Sequence, residues 1–188
     1  MSYYDELTKL FDPWRHNWVE LYRQHQFLPS RLARAFQQFL GCPVAFSNDP
    51  IDKTAPETKY VSPTRAVWDD ATENFALTAH DNEFLDVDFR DDGYFYFGLR
   101  VFLEHGPTTY PKMAFWFLFR GKFVSDHFEV WVQRSGRKFE VGVLSPGETN
   151  ALFQHLFDVL KGQLTESPIG RIVQEPSRIG FNATLVEK

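Results

Sequence analysis

Cysteine is nearly missing from this 188-residue chain. Cys42 stands alone, which excludes an intrachain disulfide and a cysteine metal cluster and fits a reducing cytoplasm. No stretch approaches the roughly 18 consecutive apolar residues of a membrane span. The opening MSYYDELTKLFDPW carries acids early and has no apolar signal core, so the chain is expected to be cytoplasmic, with no membrane partner. There is no surplus of base either. A net charge of -5 and a pI near 5.7 argue against nucleic acid as a partner, because nonspecific binding to it selects basic surfaces.

Several catalytic signatures are also missing. The sequence holds no HExxH pair, no GxSxG elbow, no calcium-loop spacing and no glycine-rich strand-to-helix loop. Internal repeats and low-complexity tracts do not occur. No cofactor is expected on these grounds, and a catalytic role has no motif to support it.

What the chain has in excess is rings. Aromatic residues make up 17% of it, with 20 Phe, 7 Tyr and 5 Trp, which implies large buried areas per side chain and surfaces where flat rings stack. Their spacing predicts an α+β fold in a single domain. Residues 1–41 form a helical N-terminal part, 42–64 a Pro-rich loop, 65–144 an antiparallel sheet, 145–164 a helix and 165–188 an extended tail.

Two N-terminal helices are expected. Asp12-Pro13 is a start signal, and Trp14, Trp18, Leu21 and Tyr22 then form one stripe of a helix reaching about residue 26. Pro29-Ser30 starts a second, with Leu32, Ala35, Phe36, Phe39 and Leu40 inward and Gly41 as its stop. A third helix opens at the capping box Ser145-Pro146-Gly147-Glu148 and buries Leu152, Phe153, Leu156, Phe157, Leu160 and Leu164.

The sheet of about five or six strands is anchored by two hairpins and a central aromatic strand. A three-residue loop at Asp91-Asp92-Gly93 pairs Phe89 with Phe95, Val87 with Phe97 and Leu85 with Leu99, giving one apolar face. A two-residue Ser135-Gly136 turn puts Phe128, Val130 and Val132 on one face with Phe139, Val141 and Val143. Between them, MAFWFLFRGKF adds Met113, Phe115, Phe117 and Phe119 to that face. The tail is expected to contribute one edge strand, interrupted by Pro176.

The opposite face sets the functional question. It carries Tyr94, Tyr96, Trp116, Leu118 and Trp131 beside Arg100, within a rim of charges, and three helices suffice to cover only one face of such a sheet. Helices divide freely between the faces of a sheet, so a helix over this one is the plainest cover; otherwise these six residues are the candidate binding set. The first expectation is a non-enzymatic, homo-oligomeric interaction or assembly protein that uses this face to bind protein, itself or another. The alternative is a binder of, or an enzyme acting on, a small, partly apolar ligand stacked over Trp116, Tyr96 and Trp131 and oriented by Arg100.

Other clusters are weaker. Residues 69–92 hold nine carboxylates against the single base Arg90, and 112–138 lean basic. Charge runs of this kind are usually solvated faces or cross-strand pairs. His127, Glu129 and Glu140 have the residue types of a zinc site or an acid–base pair, but no second histidine joins them, so no metal site is assigned. Cys42, with no histidine near it in sequence, reads as a buried thiol at a helix end.

Overall fold

The computed structural model describes residues 2–48, 54–69, 74–78, 93–105, 112–133, 135–142, 149–165 and 183–186. Its elements are α1 (Tyr3–Leu40), β1 (Ala45–Ser47), β2 (Glu57–Lys59), β3 (Val61–Asp69), β4 (Asn74–Thr78), β5 (Phe95–Leu103), β6 (Lys112–Val124), β7 (His127–Val132), β8 (Lys138–Gly142), α2 (Asn150–Thr165) and β9 (Ala183–Val186). The fold is α+β. All strand pairs are antiparallel, in the order β4-β3-β5-β6-β7-β8, and β9 pairs with β6. The long β6 has room for β9 at Lys112–Phe115 and for β7 at Phe119–Val124 along the edge that β5 leaves open.

The expected alternation holds. Phe95, Phe97, Leu99, Val101, Phe115, Phe117, Phe119, Phe128, Val130, Val132 and Val141 share one buried cluster. It is covered by Leu28, Leu32, Ala33 and Phe36 of α1 and by Leu152, Phe153, Leu156 and Leu160 of α2. Phe36 joins the layers, its ring lying 5.4 Å from Phe153 and 6.4 Å from Phe117. Gly121 is required here, since a Cβ on it would lie 2.4 Å from the Phe95 ring.

Five expectations need correction. First, there are two helices among the described residues, not three, because α1 runs unbroken through Pro13 and Pro29. Each proline removes an N–H and crowds the carbonyl four residues back, at about 3 kcal/mol. The start signal at Pro29 is overridden by the burial of Leu28, Leu32 and Phe36 around it, and the one at Pro13 by a cap further upstream. That cap is a capping box at Ser2, whose hydroxyl accepts from the Asp5 N–H at 3.2 Å while the Asp5 carboxylate accepts from the Ser2 N–H at 2.8 Å. Gly41 does end the helix, at φ +66°.

Second, the stretch 42–64 is not all loop. Ala45–Ser47 pairs with Glu57–Lys59 as a separate two-stranded sheet, and β3 begins at Val61. Among the described residues Pro63 has only β5 beside it, since β4 pairs from Arg65 onward, and a proline is tolerated at such an edge position. Third, Phe97 and Leu99, which the sequence pairs with Val87 and Leu85, have other neighbours on both sides. Phe97 lies between Arg65 and Phe119, and Leu99 between Pro63 and Phe117, so both ladder edges there are taken. Residues 79–92, which include the expected strand and the rest of that turn, lie outside the described residues, as do Ser145–Glu148 and Val143.

Fourth, the β7–β8 register differs by two residues. Phe128 opposes Val141 and Val130 opposes Phe139, and the Val132 N–H donates to the Arg137 carbonyl at 3.0 Å, so the loop is longer than two residues. A shift of two leaves every side chain on its expected face. Fifth, Phe39 on α1 and Phe157 and Leu164 on α2 prove exposed rather than inward.

Candidate functional site

The second face of the sheet brings most of the six expected residues into two neighbouring groups. In one, Tyr94 and Trp131 meet edge to face at 5.5 Å, and the Arg120 guanidinium lies between them, 4.5 Å from the Tyr94 ring centre and 4.8 Å from that of Trp131. This follows from the ladder: Arg120 sits opposite both Tyr96 on β5 and Trp131 on β7. In the other, Arg100 is 7% exposed, donates from Nε to the Ser62 hydroxyl at 3.2 Å, and lies 5.5 Å over Trp116 and 4.9 Å over Phe102. Leu118 stands between the groups, opposite Gly98. Tyr96 turns toward the β4 side, where its ring stacks on Phe75 at 3.8 Å.

One end of this face has a cover. The small β1–β2 sheet lays Phe46 over it, with ring distances of 5.0 Å to Tyr60 and 5.2 Å to Phe102, forming a second cluster with Ala114 that Trp116 and Cys42 flank. Beneath it Lys112 is fully buried, ion-paired with Glu104, which also accepts from the Tyr60 hydroxyl. The Lys112 ammonium sits 4.3 Å from the Phe46 ring centre, and burial lowers its pKa. Burial likewise raises the pKa of Tyr60, with nearby Cys42 adding to it. Burial raises that of the half-buried Cys42 as well, which disfavours the thiolate form that acts as a nucleophile.

Two polar clusters have the residue types of a reaction centre. His127, Glu129 and Glu140 offer ligand atoms within 4.8 Å of one another. Glu129, however, is engaged by the Lys138 ammonium at 2.5 Å, a bond that raises the Lys138 pKa, and His127 contacts Asp126 at 3.1 Å. A cation already occupies the best carboxylate. His155 lies 3.3 Å from the Ser135 hydroxyl, but its other ring nitrogen faces Arg137 at 3.3 Å. Burial, then that guanidinium, lowers the His155 pKa, and Ser135 donates its proton to the Val132 carbonyl. A triad would place a carboxylate where Arg137 stands.

The feature not anticipated lies on α1. Only residues from His25 onward are buried against the sheet, so about 33 Å of helix, residues 3–24, stands away from the core. Its stripe is apolar and open: Trp14 is 59% exposed and Trp18 52%, with Tyr3, Tyr4, Leu7, Leu10 and Phe11 more than half exposed as well. Phe11, Trp14, Trp18 and Tyr22 stack in series at 5.9, 6.5 and 5.5 Å. A shallow depression runs between Tyr4, Leu7, Thr8, Leu10, Phe11 and Trp14. The sequence signal was present in the Trp14, Trp18, Leu21 stripe, but periodicity marks an apolar face without saying what lies against it.

Comparison with known proteins offers no relative: no family model, no curated protein and no solved structure matches this chain. No helix among the described residues is long and apolar enough to cross a membrane.

Proposed function

We infer that this is a non-enzymatic interaction or assembly protein whose working surface is the projecting half of α1. One observation carries this reading: a run of large apolar side chains from Tyr3 to Leu21, each at least a third exposed, on one face of a helix the rest of which is docked. Monomeric proteins rarely expose contiguous apolar patches beyond about 300–600 Å². Eight such side chains offer on the order of 1,000 Å², the scale of one side of a protein interface. Trp and Tyr dominate it, as they do at interface hot spots.

The ring-rich sheet face is the supporting surface in this reading. Arg120 and Arg100 lie over its rings rather than leaving them open for stacking. A double substitution tests the function. Trp14→Glu with Trp18→Glu should preserve the fold, since both side chains are exposed, and should abolish association with any protein, self or other. If affinity capture and light scattering return the same associated proteins and mass for wild type and variant, the reading is wrong.

A further inference from the structure

We propose that the projecting half of α1 pairs with the same segment of a second copy of this chain, as an antiparallel two-helix interface with Trp14 and Trp18 as its knobs. This pairing rests on the reading of that segment as a contact surface, and it commits to the occupant.

The argument begins from a seam. Tyr4, Leu7, Phe11, Trp14, Trp18 and Leu21 recur at alternating spacings of three and four, the a and d positions of three heptads. The same spacing continues as His25, Leu28 and Leu32, all at most 2% exposed against this chain's own sheet. One face of one helix is therefore filled along its second half and open along its first. What completes it must be another element that accepts an a/d seam.

The seam is shaped for itself. The depression described above resolves into two adjoining sets of four residues spaced i, i+3, i+4, i+7, one built on Tyr4, Leu7, Thr8 and Phe11, the other on Leu7, Leu10, Phe11 and Trp14. Four residues at that spacing make the hole of a knobs-into-holes contact. When two copies run antiparallel with Trp14 beside the partner's Phe11, a and d positions match throughout: Trp18 meets the partner's Leu7, and Leu21 its Tyr4. In that register Trp14 and Trp18 each enter one of the two holes. The arrangement is a closed two-fold contact, in which each pair occurs twice.

Direction follows from the docked half. In a parallel pair, both sheets would need the space between the two helices beyond residue 24, because each sheet lies on the seam side. An antiparallel partner lies along residues 3–24 only, and leaves the seam where the sheet takes over.

Charge supports self-pairing and weighs against a bilayer. The seam carries no charge, and the polar side of the segment has Asp5, Glu6, Asp12 and Glu20 against Lys9, Arg15 and Arg23. Helices that lie on membranes are instead rich in Lys and Arg on their polar face. Two copies of a nearly balanced surface meet without net repulsion.

The test uses the full chain. Light scattering should give twice the 22.0 kDa chain mass at tens of micromolar, falling to the chain mass for Trp14→Glu/Trp18→Glu with unchanged circular dichroism of the sheet. Direction is read in a Cys42→Ser background with a short bismaleimide. Thr8→Cys chains mixed with Arg15→Cys chains should link, while neither variant links to itself. A wild-type chain that stays at 22.0 kDa overturns the pairing, leaving the contact-surface reading to the capture experiment above. Sedimentation with phosphatidylcholine/phosphatidylserine vesicles as a monomer overturns it in favour of a lipid surface. Links within either single-variant sample overturn the antiparallel register.

Discussion

The two halves of α1 share one seam and differ in what faces it. From His25 to Phe36 the seam is sealed: His25 meets the rings of Phe95 and Phe128 at 4.6 and 5.2 Å, and Leu28 and Phe36 are fully buried. From Tyr3 to Tyr22 it is open, and its side chains are larger and flatter. An apolar repeat fixes which face of a helix leaves water, and the identity of the neighbour is a separate fact. Here one repeat is filled along one half of the helix and open along the other, and the open half carries the functional proposal.

Substitution along the seam separates the halves most sharply. Phe36→Ala should cost about 3–5 kcal/mol of folding stability by removing a buried ring between two layers. Trp18→Ala should change the unfolding free energy of the isolated chain by no more than about 0.5 kcal/mol, as surface changes do. Denaturant titration of both variants checks this, and similar losses would erase the distinction. Next in size is Pro13→Ala, which restores an N–H and relieves a clash worth up to about 3 kcal/mol in the open half. It should tighten self-association by at least tenfold, read by dilution of the labelled chain.

The docked half also predicts a pH dependence. Burial lowers the pKa of His25 below its ordinary 6.5, partly countered by its hydrogen bond to the Leu21 carbonyl. The unfolded chain then binds the proton more readily, so stability is level above about pH 6.5 and falls as pH drops below it. His155 adds to this with the same sign. His25→Phe should flatten the fall between about pH 7 and pH 5 in urea midpoints, and an unchanged slope would show that His25 is not its source. Smallest is Ser2→Ala, which removes one half of the capping box and should cost about 1 kcal/mol of local helix stability. It should lower helical circular dichroism without moving the unfolding midpoint.

Much of this was legible in the sequence, and the failures share a cause. The core face of β5 to β8 could be read from alternation alone, because Phe115, Phe117 and Phe119 leave one consistent arrangement. The β7–β8 register could not, since a two-residue shift conserves that alternation. Asp92-Gly93 gave a sound local turn signal, but the ladder positions of Phe97 and Leu99 go to β3 and β6, which no local signal reports. The start signals at Pro13 and Pro29 mislead for the same reason: Pro29 is held in the helix by the buried packing of Leu28, Leu32 and Phe36 on the sheet, and Pro13 lies in a helix already begun at the Ser2 cap.

The candidate site divides along the same line. Alternation placed Tyr94, Arg100, Trp116, Leu118 and Trp131 on one face, where the structure has them. It could not show that Arg120 would lie between Tyr94 and Trp131, because that contact depends on three strands in register. Nor could it show Phe46 reaching over Phe102 from a three-residue strand within a proline-rich stretch.

Amide hydrogen exchange along α1 tests the central claim most directly. A projecting helix with an empty seam opens readily, because helical stability in proteins comes mainly from tertiary contact. If the open half is closed by a second copy, residues 3–24 should become protected as protein concentration rises, approaching the protection of residues 25–40. Rapid exchange at residues 3–24 that is independent of concentration, beside a protected 25–40, would contradict the account.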